Sequence, residues 1–483
     1  MRSKMLLLCV LLILAVMAAP VAAQDDATLP DFIQHTECEV DLTGETIVIQ
    51  HLGDVSGSYA PITQPLLAGF EDAIAYFNAR GGICGATITS ENRDTGGDPA
   101  QTQAGYDYFS GLDPKPHMLV LYSSTDAELL RPQLEEDEIP AVISAGSLEG
   151  LYGENGDEPG WIYATNPLYT DQFGFFCDFV AANPEEFPEP VIGYIGWGAP
   201  SAAFGMAAFT NETQAYCEGV GVDVLDTAES FSPAATDVST NVDNLYQAGA
   251  NIIYVNALAT GPLRVAEAIH FLGIQDEVKL ASVNWGMDTS VALLARTSLG
   301  DNGLPVVNGM YGSLPFRWWT ETDQPGIQLM IENADAAQRA PQVRGISYLL
   351  GWATVDQYIE MYAQTVNRVG SLDAVTGAEI RDTFENLVYS PLGLLQLDFL
   401  AGEIRALTGN RIMQFAFANS TMDGIATSGD DALAVPLEDG TNFYPPVYLQ
   451  RYPAEGFGQA PDVRHAGMDM SATDEMAATE EAD

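Results

Sequence analysis

Two short runs of hydroxyl and small residues stand directly after apolar segments, where the strands of a parallel sheet would end. Ser123-Ser124-Thr125 follows the apolar segment 117–122, and a helical pattern begins near residue 127. Hydroxyl groups and free backbone N–H groups at a helix start form an anion site, which the helix dipole strengthens. A ligand carboxylate or polarised carbonyl would suit this site, although the same residues also serve as ordinary helix caps.

The second run, Ala145-Gly146-Ser147, follows the apolar segment 139–144, and its small residues would let the backbone approach a ligand closely. A plain loop is the alternative. Aromatic residues also stand near predicted strand ends: Tyr59, Trp197 and Trp285, with Phe204 at the start of a helical pattern. Aromatic walls with a few polar groups are typical of small-ligand clefts, and core packing is the competing interpretation.

Motifs for catalysis, metals or nucleotides do not emerge from the sequence. The segment 53–57 reads GDVSG, which departs from the GxSxG spacing of a nucleophile elbow. There is no GxxxxGK[ST] loop, no GxGxxG after a predicted strand, no HExxH and no CxxC, and the five histidines are scattered. We therefore expect no catalytic residues, no metal site and no cofactor.

Short apolar runs alternate with helical patterns through most of the chain. This alternation predicts parallel sheets with helices on both faces, and it is too long for one comfortable sheet. We therefore expect an α/β fold of two Rossmann-like, doubly wound lobes. The predicted strands are 46–51, 86–91, 117–122, 139–144, 191–195, 222–228, 251–256 and 279–284; the helices are 65–79, 99–109, 127–135, 171–182, 202–218, 238–248, 262–272, 348–368 and 377–388; two further apolar runs are 394–400 and 411–418.

The two ends of the chain differ from this alternating region. Residues 1–23 have a basic start, an apolar run of 15 residues and small residues at the end, which predicts a secretory signal peptide. That run is shorter than the roughly 20 residues of a membrane span. Residues 24–44 are predicted to form an N-terminal arm, and residues 456–483 an acidic, disordered tail.

Four cysteines remain after removal of the signal peptide: Cys38, Cys84, Cys177 and Cys217. An even number in an exported chain predicts two disulfides, for which three pairings are possible. We favour Cys38–Cys84 and Cys177–Cys217, since each pair then lies within one lobe.

The chain is strongly acidic, with 67 Asp and Glu against 18 Lys and Arg and a formal net charge of -49. A nucleic-acid-binding protein needs a positive field to displace counterions, so this class is excluded. The same charge would be repelled by an anionic membrane surface. A solvated acidic surface that keeps an exported protein soluble is the interpretation that we favour.

Several blocks of the sequence resemble a known family over residues 46–418. The blocks are VSGSYAPITQPLLAGFEDAIAYFNARGGICG at 55–85, RDTGGDPAQ at 93–101, LYSSTDAELLRPQLEEDEIPAVISAGS at 121–147 and TDQFG at 170–174. They are similar to blocks of the periplasmic substrate-binding proteins of branched-chain amino-acid and amide ABC importers, the leucine/isoleucine/valine-binding type.

The resemblance implies two lobes joined by three chain crossings, near residues 167–170, 285–290 and 389–393, which close over a ligand. Lobe 1 would comprise residues 45–168 and 288–390, and lobe 2 residues 169–287 and 391–455. The implied ligand-binding residues are Ser123, Ser124, Ala145 and Ser147 from the first lobe, with Tyr169, Phe204 and Trp285 closing over the ligand.

The nature of the ligand stays open at this point. Amino-acid binders of this type use an acidic side chain in a crossing segment to hold the ligand ammonium, and Trp285 matches that position here. Asp171 or Asp288 could take the place of that acid. An amino acid, an amide, a urea-like molecule and an aromatic carboxylate are the candidates.

The resulting hypothesis is an exported, non-enzymatic, monomeric protein that binds a small molecule and passes it to the permease subunits of an ABC importer. It would work in the periplasm or outside the cell. A secreted α/β hydrolase, such as an amidase or esterase, and a sensory ectodomain are the alternatives. The poor match to GxSxG disfavours the hydrolase, and the lack of a second long apolar segment disfavours the receptor.

Overall fold

The computed structural model describes residues 28–417, 435–436, 442–443 and 446–467, so the predicted signal peptide lies outside the described residues. Its helices are α1 (Ala60–Asn78), α2 (Pro99–Ser110), α3 (Ser124–Glu136), α4 (Leu148–Tyr152), α5 (Tyr169–Ala182), α6 (Ala202–Gly205), α7 (Asn211–Gly219), α8 (Ser239–Gln247), α9 (Thr260–Leu272), α10 (Thr289–Ala295), α11 (Pro325–Ala336), α12 (Ile346–Val369) and α13 (Gly377–Phe384).

The strands are β1 (Thr46–Gly53), β2 (Thr87–Asp94), β3 (Leu119–Leu121), β4 (Ala141–Ile143), β5 (Ile162–Ala164), β6 (Val191–Trp197), β7 (Asp223–Val224), β8 (Glu229–Phe231), β9 (Ile252–Asn256), β10 (Lys279–Ser282), β11 (Tyr311–Ser313), β12 (Val388–Tyr389), β13 (Leu397–Asp398), β14 (Thr408–Asn410), β15 (Ile412–Ala416), β16 (Val435–Pro436), β17 (Asn442–Phe443), β18 (Val447–Tyr452) and β19 (Gly458–Gln459).

The first sheet contains five parallel strands in the order β2-β1-β3-β4-β5. Its longest covering helices, α1 and α12, approach each other closely through two glycines. A Cβ atom on Gly69 would lie 2.5 Å from the carbonyl oxygen of Tyr348, and one on Gly351 would lie 2.6 Å from that of Leu66. The two backbones therefore pack at a distance that any larger side chain would prevent.

The second sheet runs in the order β18-β15-β11-β10-β9-β6-β7, with β8 also pairing with β6. Strands β6 to β11 pair in parallel, whereas β15 and β18 join as antiparallel strands. Two mostly parallel sheets connected by helices confirm the predicted α/β class with two doubly wound units.

Several predicted elements differ from the structure in detail. The predicted helix 202–218 is two helices: α6 ends at Gly205, and the Thr210 hydroxyl caps the start of α7 by accepting from the Thr213 N–H at 3.2 Å. Of the predicted strand 222–228 only residues 223–224 form a strand, β7, and β8 begins directly after the predicted segment; both strands pair with β6.

The lobe boundaries also need adjustment at one strand. The resemblance places residues 288–390 in the first lobe, but β11 pairs in parallel with β10 and antiparallel with β15 in the second sheet. The chain therefore leaves the second sheet after Ser313 rather than near residues 285–290. An isolated parallel bridge joins Arg405 to Ala164 of β5, so the chain still lies against the first sheet at residue 405. The final crossing therefore follows Arg405 rather than lying near residues 389–393.

Both disulfides have the favoured pairing. Cys38 is bonded to Cys84, which ties the N-terminal arm to the first sheet. Cys177 is bonded to Cys217, which joins α5 to α7.

The two ends of the described chain pack against the molecule. In the arm, the His35 ring lies 2.6 Å from Asp356 of α12, and the Thr36 hydroxyl donates to Glu360 at 2.7 Å. At the other end β19 pairs with β14, and Val463 is buried. The prediction of a disordered tail from residue 456 is thus wrong as far as residue 467, because these residues bury apolar and charged groups. Residues 468–483 lie outside the described residues.

A buried histidine in β1 makes folding sensitive to acid. His51 is fully buried, its Nδ1 lies 2.6 Å from Asn92 Oδ1, and burial lowers its pKa to about 4, against the opposing effect of that hydrogen bond. An unfolded histidine titrates near 6.5, so between these pH values the unfolded chain binds a proton that the folded chain does not. Folding stability attributable to His51 is therefore lost as pH falls from about 6.5 to about 4, by up to about 3 kcal/mol.

We expect His51→Gln to remove this contribution to the pH dependence. Urea unfolding followed between about pH 7 and about pH 4 should show a shallower loss of stability for the variant than for the parent protein. Parallel pH profiles would show that His51 does not titrate as its burial requires.

Candidate functional site

The carboxyl ends of the strands in both sheets present aromatic side chains toward each other. Tyr59 follows β1 and Tyr122 follows β3 in the first sheet. Trp197 ends β6 and Trp285 follows β10 in the second sheet. Ligands of open parallel sheets bind beyond the carboxyl ends of the strands, so these side chains occupy the expected place for a site.

Six aromatic residues from the two halves of the molecule form two groups of contacting rings, which a hydrogen bond between Trp285 and Tyr169 joins. Tyr59 lies 6.0 Å from both Trp197 and Phe204, measured between ring centroids. Phe204 lies 5.2 Å from Tyr169, and Tyr122 lies 5.6 Å from Trp285. Every member is at most 8% exposed. We call this group the aromatic cluster: Tyr59, Tyr122, Tyr169, Trp197, Phe204 and Trp285.

The hydroxyl of Tyr169 lies within this cluster. Its oxygen accepts a hydrogen bond from Trp285 Nε1 at 3.1 Å. Burial raises the pKa of the Tyr169 hydroxyl, and the neighbouring Trp285 N–H and Ser124 hydroxyl oppose this change, so the phenol stays protonated at neutral pH. Because its oxygen already accepts, its proton is available to an acceptor on a ligand.

Polar atoms around the cluster are buried without a hydrogen-bond partner. They are Tyr59 Oη, Ser124 Oγ and Trp197 Nε1. The Ser201 hydroxyl lies near Tyr59 and the Tyr169 hydroxyl near Ser124, but neither neighbour forms a hydrogen bond of good geometry with it. Buried polar groups in folded proteins are almost always paired, and an unpaired one costs about 1–3 kcal/mol. Three such groups at one interface between the two halves indicate a binding site in which a polar ligand supplies the missing hydrogen-bond partners.

The serines and the alanine predicted from the first sheet occupy different environments. Ser123 Oγ caps α3 by accepting from the Asp126 N–H at 3.4 Å. Ser147 Oγ donates to Glu128 at 2.6 Å and accepts from the Gly150 N–H. Ala145 is buried after β4. Of these residues only Ser124 offers a buried and unpartnered hydroxyl.

The two acids considered as partners for a ligand ammonium are both engaged elsewhere. Asp171 Oδ2 accepts from the buried Arg405 at 2.7 Å. Asp288 accepts from the Ser290 N–H through Oδ1 and from the Ile346 N–H through Oδ2. Neither carboxylate therefore replaces the missing acid near Trp285.

Tyr122 and Asp126 were missed as candidate residues in the sequence. Tyr122 is the last residue of the apolar segment 117–122, which predicts that it belongs to the strand. Asp126 stands in the first turn after the serine run, where acidic residues usually favour the helix dipole. The signal that could have found Asp126 is its position two residues after Ser124.

A cavity of about 400 Å³ also opens between the two halves. Elements α3 and α4 line it from the first half, and α6 and α7 from the second. Its charged residues are Glu128, Glu149, Glu154, Glu212 and Arg464. Burial raises the pKa of Glu128, whereas the hydrogen bond from Ser147 opposes this change. The approach to the interface is therefore predominantly acidic.

Two further observations concern the described part of the chain. None of its groups of histidine, cysteine, aspartate and glutamate is arranged to hold a metal ion. None of its helices is both long and apolar enough to cross a membrane.

Solved structures with the same fold include ABC transporter proteins. A branched chain amino acid ABC transporter from Thermus thermophilus with bound valine has a TM-score of 0.66 and 16% identity, covering 88% of this chain and 99% of that one. A fatty acid ABC transporter substrate-binding protein from Thermomonospora curvata has a TM-score of 0.63 and 16% identity, covering 91% and 97%. A solute binding protein from R. palustris in complex with 4-hydroxybenzoate has a TM-score of 0.60 and 17% identity, covering 86% and 98%.

A sequence comparison assigns the family directly. None of the curated protein sequences compared with this chain matches it. The model of the periplasmic binding protein family matches residues 46–419, which is most of the chain and includes the first sheet, every strand of the second sheet except β18, and the aromatic cluster. The chain belongs to the periplasmic binding protein family.

Proposed function

We propose that this protein is the extracytoplasmic substrate-binding protein of an ABC importer and captures a small polar ligand between its two lobes. The observation that supports this proposal most directly is the set of buried, unpartnered polar atoms around the aromatic cluster. Family membership implies a location outside the cytoplasm, which agrees with the predicted signal peptide. The permease subunits of the importer are the proposed partners.

Ser124, Ala145, Tyr169, Phe204 and Trp285 are the proposed ligand-binding residues. Ser124 stands at the start of α3, where the first backbone N–H groups and the helix dipole favour a negative charge. The Tyr169 hydroxyl can donate a second hydrogen bond, since Trp285 occupies its acceptor side. A carboxylate between these donors would be held without a basic side chain.

The ligands named for the similar structures agree with this chemistry. Valine and 4-hydroxybenzoate each carry a carboxylate, and so does a fatty acid. Their remaining parts differ, whereas the aromatic cluster supplies an apolar wall that tolerates different shapes. Closure of two lobes over the ligand would present a new surface to the permease.

A secreted hydrolase finds little support in the same geometry. A serine nucleophile needs a base within hydrogen-bond distance. Ser124 Oγ has no hydrogen-bond partner among the described residues, so no histidine activates it there. Binding without chemical conversion is therefore the function that the site favours.

We expect Ser124→Ala to weaken ligand binding by about tenfold, because the hydroxyl contributes roughly 1–1.5 kcal/mol as a hydrogen bond to a carboxylate. Thermal-shift screening of the mature protein against amino acids, amides and short carboxylates would first identify a ligand, and calorimetry would then give both affinities. Ser90→Ala, on the exposed face of β2, is the matched control and should bind as the parent does. Equal affinity of Ser124→Ala and the parent would contradict this site.

A further inference from the structure

A buried carboxylate next to the proposed site has one oxygen without a partner. Asp126 lies in the first turn of α3, two residues after Ser124, and is 3% exposed. Its Oδ1 accepts from the Thr102 hydroxyl at 2.7 Å. Its Oδ2 is buried and has no hydrogen-bond partner among the described residues. A carboxylate oxygen in this state is costly unless something binds to it.

The groups around Asp126 do not neutralise it. Thr102 of α2 provides a hydroxyl, and the segment after β1 provides Tyr59 and a second acid, Asp54. Both oxygens of Asp54 are already used, since they accept from the Gly57 and Tyr59 N–H groups. In the part of the chain that the structure describes, no arginine or lysine forms an ion pair with Asp126.

The unpartnered oxygen of Asp126, Oδ2, lies in the same region of the molecule as the aromatic cluster. Burial raises the pKa of the Tyr59 hydroxyl, the neighbouring Tyr169, Asp126 and Asp54 add to this change, and the nearby Ser201 hydroxyl opposes it. Tyr59 is therefore within electrostatic range of both Asp126 and Tyr169. The faces of aromatic rings also attract cations, most strongly when water is excluded.

We infer that Asp126 binds a positively charged nitrogen of the ligand, and that the ligand is therefore a zwitterion such as an amino acid or a betaine. This inference rests on the proposed function, in which Ser124 and the start of α3 hold the ligand carboxylate. Asp126 supplies from α3 the acid that Asp171 and Asp288 do not supply. The ligand nitrogen completes the hydrogen bonding of Asp126 Oδ2, and its charge offsets a buried negative charge.

The pH dependence of binding distinguishes this role from a structural one. Burial raises the pKa of Asp126 to about 6, the Thr102 hydrogen bond opposes the change, and the charge of Asp54 adds to it. Below this value the carboxyl group is protonated in the empty protein and attracts a cation less. Zwitterion affinity should therefore fall as the pH is lowered through about 6, whereas the affinity of a ligand without the nitrogen should not show this loss.

The test compares ligands that differ only in their charged groups, using the mature protein. One set is L-valine, isovalerate, which lacks the ammonium, and isobutylamine, which lacks the carboxylate. The second set is L-tyrosine, 3-(4-hydroxyphenyl)propanoate and tyramine, which covers a larger apolar part. Calorimetry would measure each of the six affinities for the parent, Asp126→Asn and Asp178→Asn. The asparagine can still accept from Thr102, so the fold is retained while the charge is lost.

Asp178→Asn is the matched control, because Asp178 of α5 is partly buried, also accepts from a hydroxyl group, that of Tyr216, and lies outside the cavity between the two halves. We expect a zwitterion to bind at least tenfold more tightly than its ammonium-free analogue. Asp126→Asn should lower zwitterion affinity by about tenfold or more while leaving the analogue unchanged, and the control should change neither.

Three results separate the failure of this inference from that of the proposed function. Equal binding of a zwitterion and its ammonium-free analogue, or an unaltered zwitterion affinity in Asp126→Asn, overturns the role of Asp126. If carboxylates bind in a manner that depends on Ser124 but not on Asp126, the proposed function stands and this inference falls. If no member of either set binds, both fail for these ligand classes.

Discussion

Replacing Arg405 with methionine is expected to lower the free energy of unfolding by about 3–5 kcal/mol, the cost of breaking a buried ion pair by removing one partner. Arg405 is fully buried, and its guanidinium lies 2.7 Å from Asp171, 2.7 Å from Glu403 and 2.8 Å from Asp462. Asp171 is also fully buried, so it would be left with a negative charge and no cation.

This ion-pair group joins three separate parts of the chain. Asp171 lies in α5, directly after the chain leaves the first sheet, and Arg405 pairs with the end of that sheet at Ala164. Asp462 comes from the C-terminal segment, beyond the residues matched by the family model. Arg464 and Arg405 hold the pKa of Asp462 well below its usual value, although burial alone would raise it. Loss of Arg405 should therefore loosen the junction of the two sheets as well as lower stability.

Urea unfolding monitored by tryptophan fluorescence would measure the change for Arg405→Met. Lys115→Met is the control, because Lys115 is about half exposed and pairs with Asp137 at the surface. Such pairs contribute at most about 1 kcal/mol. Similar unfolding midpoints for the two variants would show that the buried charges of this group do not need Arg405.

The α/β class and most elements were predictable because they depend on local pattern. The apolar segment 251–256 becomes β9, fully buried in the middle of a parallel sheet, where a continuous apolar run is expected. The strand β11 was missed because its three residues, Tyr-Gly-Ser, carry no such run and are held only by β10 and β15. Strands of this kind depend on distant pairing that a sequence window does not contain.

The candidate site also has features that the sequence predicts and features that depend on distant contacts. Aromatic residues after strands were recognisable, and Tyr169, Phe204 and Trp285 do come together. The hydrogen-bond partners of the acidic residues could not be predicted, since the partner of Asp171 lies 234 residues away in the sequence. The hydroxyls of Ser123 and Ser124 are also equivalent in the sequence, whereas the structure uses one as a cap and leaves the other open.

Replacing Asp288 with alanine should lower the free energy of unfolding by about 2–4 kcal/mol, because one carboxylate caps two helices and each cap contributes about 1–2 kcal/mol. Its Oδ1 accepts from the Ser290 N–H of α10 at 2.9 Å, and its Oδ2 accepts from the Ile346 N–H of α12 at 2.7 Å. Helix α10 follows a strand of the second sheet, whereas α12 packs against α1 over the first. Asp288 therefore connects the two halves through the starts of their helices.

Two further variants distinguish this double cap from ordinary capping. Asp98→Ala removes a single exposed cap of α2, whose carboxylate accepts from the Ala100 N–H at 2.7 Å, and should cost about 1 kcal/mol or less. Asp288→Asn keeps one acceptor oxygen but turns an N–H group toward a backbone donor, so it should recover only part of the loss. Urea midpoints in the order parent, Asp98→Ala, Asp288→Asn and Asp288→Ala are expected. If Asp288→Ala were no less stable than Asp98→Ala, the two halves would have to be held together by contacts other than this carboxylate.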